Sequence, residues 1–325
     1  MSGRIQLLGA AFVVQLLLVA GFFYLDAAGS SAAPPSFLEL APADVSRIVI
    51  SGEGETIEMS KDESGWRLAG DTPADGDKID EVLEKLSGLS APWPVATSES
   101  SRERFEVTAD SNQRRVQMFG AEETIGELFL GTSPGYRRVH ARAGGADEVY
   151  SIDFSTFELP VGRDDWLDKD LLRPLGEVTE VVRDGAWSLS RGEEGWLLGA
   201  VAPAQNAGEQ GAADPDAADR LIERVADLRV TGFAGDAQLT EQAAYTVTDD
   251  AGIHRLRIFH DEEEDTYAVE SDRIEGRFAV AAYIAEQLLV ADDELRASPS
   301  QEDDVSDVDG SSGEANDFEQ PESPG

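Results

Sequence analysis

The chain has 325 residues, with 65 acidic side chains against 26 Lys and Arg, a formal net charge of −39 and no cysteine. Such an acidic surface repels phosphate backbones and argues against nucleic-acid binding, and the lack of cysteine excludes disulfides, thiolate catalysis and Cys-ligated metals. Hydrophobic residues make up 41% of the chain, which is enough to build ordinary cores.

The first predicted element is an apolar run at residues 5–25, interrupted only by Gln6 and Gln15. As an α-helix rising ~1.5 Å per residue, it would span about 31 Å, the thickness of a bilayer core. Arg4 precedes the run and Asp26 follows it, so the positive-inside rule places the N-terminus in the cytoplasm. The sequence therefore predicts a single-pass anchor in the inner (cytoplasmic) membrane and an extracytoplasmic C-terminal domain. The alternative is a cleaved signal peptide, whose apolar region would normally be about 7–15 residues long.

Two segments of unusual composition flank the central part of the chain. Residues 27–36 are small residues and prolines without periodicity, so residues 27–41 are predicted to form a linker. From residue 297 onward the chain has one aromatic residue, Phe318, and no basic residue, so this part cannot bury enough apolar surface to fold. Residues 293–325 are therefore predicted to be a disordered acidic tail.

Between these segments the sequence repeats itself. Strand-like runs at 45–50 and 178–182 correspond, and alternating segments that follow them place Trp66 and Trp196 at matching positions. An amphipathic helix comes next in both copies, at residues 77–89 and 216–228, with its apolar residues on one stripe. The repeat predicts two similar modules, each with a helix packed on a sheet.

Hairpins are predicted after both helices, at residues 104–119 and 244–259, from period-2 alternation around a polar turn. Both hairpins contain a Val-Thr pair. Further strands of the first copy are predicted at residues 126–131, 136–142 and 148–153, with weaker counterparts of the last two at 266–271 and 277–281. These strands complete a meander in each module.

The predicted fold class is α+β, with an N-terminal single transmembrane helix followed by two similar modules, each an antiparallel β-sheet with a packed helix. A short helical or turn-rich connector joins the modules, and a disordered acidic C-terminal tail ends the chain. The predicted boundaries are 1–26 for the anchor, 27–41 for the linker, 42–161 for the first module, 162–176 for the connector, 177–292 for the second module and 293–325 for the tail.

One motif resembles a catalytic signature. Residues 131–135 read GTSPG and match the G-x-S-x-G pattern of serine hydrolases. Pro134 would follow the nucleophile and has no backbone N–H to give to an oxyanion, and the next residues alternate like a strand instead of forming a helix. A turn between two strands is the favoured interpretation.

Other candidate sites are equally weak. The three histidines, His140, His254 and His260, do not form a metal-ligand spacing, and the last two are expected to be exposed beside a strand. Acidic loops at residues 71–76 and 307–310 fail the EF-hand pattern. We therefore predict a non-enzymatic protein without catalytic residues, cofactor or metal site.

The remaining expectations concern where the tryptophans and the paired arginines lie. Trp66 and Trp196 are expected in module packing because they occupy matched positions. Trp166 lies in the acidic connector and is expected to contact either the other module or a partner. Paired arginines are expected on solvated strand faces, at Arg114, Arg115, Arg137 and Arg138.

The order of these elements resembles the domain of unknown function 4340 (DUF4340) family. The residues that carry the resemblance are GWRL at 65–68, LFLG at 128–131, VY at 149–150 and WLDK at 166–169. The resemblance covers about residues 45–289. Departures from the family pattern are the extreme acidity, an insertion at 204–219 and the acidic tail.

The resemblance implies an envelope protein encoded beside ABC-type export systems similar to the gliding-motility transporters. Its implied partners are ABC transporter permease and ATPase subunits, besides the bilayer that residues 5–25 would enter. The expected function is thus a non-enzymatic, membrane-anchored accessory protein acting through protein contacts. The alternative is an envelope binding module for a polysaccharide or lipid-linked ligand, which an apolar or Trp-lined cleft between the modules would favour.

Overall fold

The computed structural model describes residues 15–21, 36–90, 93–121, 123–200, 210–235 and 238–297. Residues 15–21 are helical, and the side chains of residues 15–20 are exposed. Within the described ranges, no helix is long and apolar enough to cross a membrane. The other residues of the predicted anchor, residues 27–35 of the predicted linker and the predicted tail beyond residue 297 lie outside the described residues.

The first module is an eight-stranded antiparallel sheet in the order β4-β3-β2-β1-β5-β6-β7-β8. Helices α1 (Gly76–Ser87) and α2 (Glu99–Arg104) follow β4. The strands are β1 Arg47–Gly52, β2 Glu55–Asp62, β3 Gly65–Leu68, β4 Thr72–Pro73, β5 Arg114–Phe119, β6 Thr124–Leu130, β7 Val139–Ala143 and β8 Tyr150–Ile152.

The second module is a nine-stranded antiparallel sheet in the order β12-β11-β10-β9-β14-β15-β16-β17-β13. Helix α3 (Pro215–Ala226) follows β12, and helix α4 (Ala282–Leu288) follows β17. The strands are β9 Glu180–Arg183, β10 Trp187–Arg191, β11 Trp196–Ala200, β12 Gly211–Ala212, β13 Gly232–Phe233, β14 Thr240–Asp249, β15 Gly252–Asp261, β16 Thr266–Ser271 and β17 Ile274–Val280.

The two sheets share one topology. In each module four strands form a meander, a helix follows, and the chain returns to the free side of the first strand, where β5 pairs with β1 and β14 pairs with β9. Three more strands then extend each sheet outward, and in the second module the short β13 is added beyond β17. The predicted α+β class with two antiparallel sheets is therefore confirmed.

Both modules fix the helix to the third strand by the same contact. Trp66 Nε1 donates a hydrogen bond to Asp80 Oδ1 at 3.0 Å, and Trp196 Nε1 donates to Asp219 Oδ1 at 3.0 Å. Both indoles are buried. Asp75 and Asp214 cap the helices. Packing is thus the role of the two matched tryptophans.

We expect Asp80→Ala and Asp219→Ala to lower the free energy of unfolding by similar amounts, about 1 kcal/mol each, because each removes the acceptor of a half-buried indole N–H. Urea denaturation measures both values. Glu81→Ala and Arg220→Ala are matched controls on the exposed helix surfaces, and each should change stability by less than about 0.5 kcal/mol. Clearly unequal costs in the two modules would contradict an equivalent role.

The hairpin predicted at residues 104–119 is wrong. Residues 99–104 form α2, the following turn is closed by a bridge between Val107 and Asn112, and only β5 is a strand. Because β5 pairs with β1, it occupies the position of β14, so the sequence alignment with residues 244–259 is displaced by one strand. Period-2 alternation defines the faces of a strand but does not identify its neighbour, which explains the error.

The connector forms backbone hydrogen bonds with both modules. Residues 163–166 form a 3-10 turn, after which the backbone N–H of Asp75 donates to Trp166 O at 2.9 Å and that of Asp168 donates to Pro73 O at 3.1 Å. The next residue, Lys169, accepts from the backbone N–H of Val230 at 2.9 Å. Consequently one continuous core of buried side chains runs through both modules.

The same closing turn recurs at the end of the second module. Residues 293–295 form a 3-10 turn, Leu295 is fully buried, and its carbonyl accepts from the backbone N–H of Asp214 at 2.9 Å. The ordered fold therefore extends past the boundary predicted at residue 292. At the other end Leu38, within the predicted linker, is buried in the core, so the fold also begins earlier than predicted.

Arg114 corrects the expectation that the paired arginines lie on solvated faces. Its side chain is buried, where Nη2 lies 3.0 Å from Glu53 Oε1 and Nε donates to Leu159 O at 3.0 Å. The neighbouring Arg115 pairs with Glu127 on the opposite, more exposed face of the strand. Alternation along β5 thus separates the two arginines.

Candidate functional site

The most exposed aromatic side chains of the described chain lie together at one end of the first module. Tyr136, in the loop between β6 and β7, and Phe157, in a 3-10 turn after β8, are each 90% exposed. Both line a depression of about 420 Å³ with Arg137 and Arg138. We call Tyr136, Arg137 and Phe157 the aromatic patch.

Hydrogen bonds hold the loop of the aromatic patch in one shape. The hydroxyl of Ser133 lies 2.8 Å from Gly135 O and 2.7 Å from Arg138 O. The Arg138 guanidinium donates to the side chain and carbonyl of Ser151, at 3.0 and 2.6 Å. Arg137 has a φ of 53°, which a non-glycine residue adopts only at some cost. The loop that carries Tyr136 and Arg137 is therefore preorganised.

The G-x-S-x-G motif lies in this loop and is not arranged as a hydrolase site. Ser133 faces backbone carbonyls, whereas the nearby His140 contacts Thr132 instead, with 2.9 Å between Oγ1 and Nδ1. His140 also stacks on Phe105, with ring centroids 4.0 Å apart. The strand β7 follows the motif, where a hydrolase would have a helix.

A second concave surface lies between the connector and the helices of the second module. It has a volume of about 540 Å³ and combines cationic side chains with Tyr283 and Ile284. We call it the connector groove. Its cations are Lys169, Arg224 and Arg229.

The connector tryptophan, Trp166, does not line an open cleft. Trp166 is 1% exposed, and its Nε1 donates to Pro160 O at 2.8 Å. The Lys78 ammonium lies 4.6 Å from the centroid of the indole and donates to the carbonyl of Asp165. The Trp166 side chain is thus buried against the first module and is not accessible to a partner, whereas its 3-10 turn contacts the second module, where the backbone N–H of Phe233 donates to Asp164 Oδ1 at 3.0 Å.

A buried ionic cluster lies at the turn between β14 and β15. Asp249 accepts from both terminal nitrogens of Arg273, at 2.8 and 2.7 Å, and from the backbone N–H groups of Leu175 and Ala251. The Arg273 guanidinium holds the pKa of the Asp249 carboxyl well below its usual range. The cluster joins the segment at Leu175, which precedes β9, to the hairpin formed by β14 and β15.

His254 belongs to this cluster, and the expectation that it is exposed is wrong. It is 1% exposed because it points inward from β15, and its Nδ1 lies 3.6 Å from Asp249 Oδ2. Neither ring nitrogen has a hydrogen-bond partner among the described residues. Burial, reinforced by the charge of Arg273, lowers the pKa of His254.

We expect the protein to lose stability as the pH falls below about 6.5, the ordinary histidine pKa. The lowered pKa means that the unfolded chain takes up a proton at His254 which the folded chain resists, so stability is highest above that pH and falls toward the folded-state pKa. Urea unfolding at pH 7.5 and 5.5 measures the loss. His254→Leu should reduce it; an unchanged loss in that variant would contradict the assignment.

Metal and tryptophan candidates give no further site. Within the described ranges, no group of three or more His, Asp or Glu residues is placed to hold a metal ion. In the acidic loop at 71–76, Asp75 caps α1 by accepting from the backbone N–H of Lys78. The loop at 307–310 lies outside the described residues. Trp187 is buried and Trp93 is exposed.

Sequence reasoning did not identify either concave surface. Tyr136 and Arg137 are neighbours in the aromatic patch, but Phe157 comes from a separate segment, and none of the three belongs to a chemical motif. Pro134 and Gly135, which interrupt the strand pattern before Tyr136, were the one available signal of a projecting loop. The connector groove joins residues from three separate segments, so no local pattern could reveal it.

Comparison with known proteins agrees with the family resemblance. A family model described as "Domain of unknown function (DUF4340)" matches residues 66–250, more than half of the chain and parts of both modules. No curated protein matches the chain, and no solved structure does. The chain therefore belongs to the DUF4340 family.

Proposed function

We propose that this protein is a non-enzymatic, membrane-anchored extracytoplasmic accessory protein of an ABC-type export complex and acts through protein contacts. The observation that carries the proposal is the aromatic patch. Two aromatic side chains exposed at 90% are unfavourable in water, and they lie beside an arginine on a preorganised loop. Aromatic residues and Arg are enriched in protein interfaces and dominate their hot spots.

The proposed anchor is the apolar run at residues 5–25. Its described part is helical and exposes four consecutive apolar side chains, Leu16, Leu17, Leu18 and Val19. Such a surface is favourable in lipid and unfavourable in water. A tether of this kind would keep the aromatic patch near membrane-embedded permease subunits, and the ATPase subunits would be reached through the permease.

The alternative, a polysaccharide or lipid-linked ligand captured between the modules, has less support. Trp166 and Leu167, the apolar residues of the connector, are each 1% exposed and so do not line a cleft for that ligand. Their backbone also pairs with residues 73–75 of the first module.

The proposal is tested by affinity purification of the full chain from its native membrane in mild detergent. Permease and ATPase subunits should co-elute with the wild type. Tyr136→Ala combined with Phe157→Ala should reduce their recovery at least tenfold, because hot-spot side chains contribute about 2 kcal/mol or more. Ile253→Ala, at another exposed apolar position, is the control and should retain them. Elution of the wild type alone, under conditions that keep other transporters intact, would refute the proposal.

A further inference from the structure

We propose that the connector groove is a docking site for the acidic C-terminal segment of this same chain, residues 298–325. The proposal is independent of the accessory role. It rests on the charge of the groove, on the composition of the segment and on the point at which the chain leaves the described fold.

The groove concentrates positive charge in a chain whose net charge is −39. Lys169 Nζ donates to two backbone carbonyls, Asp164 O and Thr231 O, both at 2.6 Å. Arg224 Nη1 donates to the carbonyl of Gln287 at 3.2 Å. Neither cation forms an ion pair with another described residue, so both retain N–H groups for an incoming carboxylate.

The third cation is already partly neutralised. Arg229 Nε lies 2.9 Å from Asp170 Oδ1, and the groove's own carboxylate, Asp227, pairs with Arg173 at 3.5 Å. Tyr283, which is 64% exposed, and Ile284 form an apolar surface beside these charges. The groove is therefore suited to a segment that carries several carboxylates and an occasional apolar side chain.

Residues 298–325 have this composition. They contain nine Asp and Glu residues, no Lys or Arg, and one aromatic residue, Phe318. The protein's net charge is strongly negative, so a segment of this kind favours a surface where cations gather, and the connector groove near its point of exit is such a surface. Phe318 has acidic residues on both sides, Asp317 and Glu319, which matches an apolar surface flanked by cations.

The chain leaves the described fold close enough to reach the groove. Arg296 forms a bridge with Ala213, next to the first turn of α3, whereas Arg224 lies near the end of that helix. At ~1.5 Å per residue, Arg224 lies about 14 Å along the helix axis from Pro215, where α3 begins. An extended chain covers ~3.4 Å per residue, so even residues 302–304 can reach the groove.

Covalent attachment also strengthens weak contacts. A segment tethered at this distance has an effective concentration of about millimolar, so individually weak ion pairs suffice to occupy the groove. Because these contacts are electrostatic and exposed, they should weaken as salt shortens the screening length from ~10 Å at 0.1 M to ~3 Å at 1 M. The segment should therefore occupy the groove at low ionic strength and leave it at high ionic strength.

The absence of native cysteine allows a direct distance measurement on the full chain in detergent. Spin labels at Gln287→Cys, on the groove, and Glu319→Cys, in the segment, should give a distinct short-distance population by pulsed dipolar spectroscopy at low salt. Raising the salt to 1 M should reduce this population at least fivefold. A label pair at Ile253→Cys and Glu319→Cys, with Ile253 on the exposed surface of β15, should lack it.

Charge reversal provides the second arm of the test. Arg224→Glu together with Arg229→Glu should abolish the short-distance population, and an unchanged unfolding transition verifies that the variant is folded. The milder Arg224→Gln should reduce the population partially. A broad distance distribution that responds to neither salt nor charge reversal would overturn the proposal.

Discussion

Trp166→Ala should lower the free energy of unfolding by about 3–5 kcal/mol, the cost of removing a large aromatic side chain from a packed core. The side chain is 1% exposed and belongs to the core that runs through both modules. Its removal also leaves the Pro160 carbonyl without its indole donor. Guanidinium denaturation of the full chain, followed by circular dichroism, measures the loss.

Trp93→Ala is the matched control for this prediction. Trp93 is 82% exposed, so its replacement should change stability by no more than about 0.5 kcal/mol. The Trp166 variant should also uncouple the two modules, seen as a broader transition or as two transitions, because the connector contributes side chains to both. A small and equal effect of Trp166→Ala and Trp93→Ala would contradict the role of Trp166 in the shared core.

The second large effect is expected for Asp249→Asn, which should cost about 2–3 kcal/mol. Loss of one partner from a fully buried ion pair typically costs 3–5 kcal/mol. The value here is lower because the Arg273 side chain remains 25% exposed, and water can solvate it in part. The Asn amide would also place donor N–H groups against the backbone N–H groups of Leu175 and Ala251.

The pH dependence of the Asp249 effect has a defined sign. The carboxyl's pKa lies well below its usual range in the folded protein, so its contribution is fully present above about pH 4 and is lost as the pH falls through the folded-state pKa. The stability difference between wild type and Asp249→Asn should therefore shrink in strong acid. Asp265→Asn, at an 83% exposed carboxylate, is the control and should show little difference at any pH. A constant Asp249→Asn difference down to pH 2 would contradict the assignment.

Much of the module architecture was predictable because the same sequence pattern occurs in both modules. The two helices were located within one or two residues, since their apolar stripes recur at matched positions. Trp66 and Trp196 were assigned to packing for the same reason, and each donates to an aspartate on the following helix. Repetition provides a second, independent observation of a pattern that would be ambiguous alone.

The errors share a physical cause. The alternation of apolar and polar residues along a strand does not indicate which strands or helices pack against it. Alternation in residues 104–119 suggested a hairpin, yet its first half is the end of α2 and a turn that packs against Phe129. His254 was expected outside, although its alternation with Ile253 and Arg255 is equally consistent with an inward position. In both cases tertiary packing, which the local sequence does not record, decided the outcome.

The surfaces proposed for function were beyond local sequence reasoning. Tyr136 and Phe157 come together only because the loop after β6 and the turn after β8 lie at the same end of the sheet. Their exposure is a property of the fold, since Tyr150 and Phe154, which lie between them in sequence, are half-buried and buried. A partner contact could thus be sought only once the fold was known.

Site-directed photocrosslinking in the native membrane tests the central claim most directly. A photoreactive phenylalanine analogue placed at Tyr136 should form a covalent adduct with a transporter subunit, identified by mass spectrometry. The same analogue at Ile253, which is 73% exposed on the second module, should give no such adduct. An adduct at Tyr136 alone is the result that the accessory role predicts. Absence of any protein adduct at Tyr136, in membranes where the exporter is intact, would contradict it.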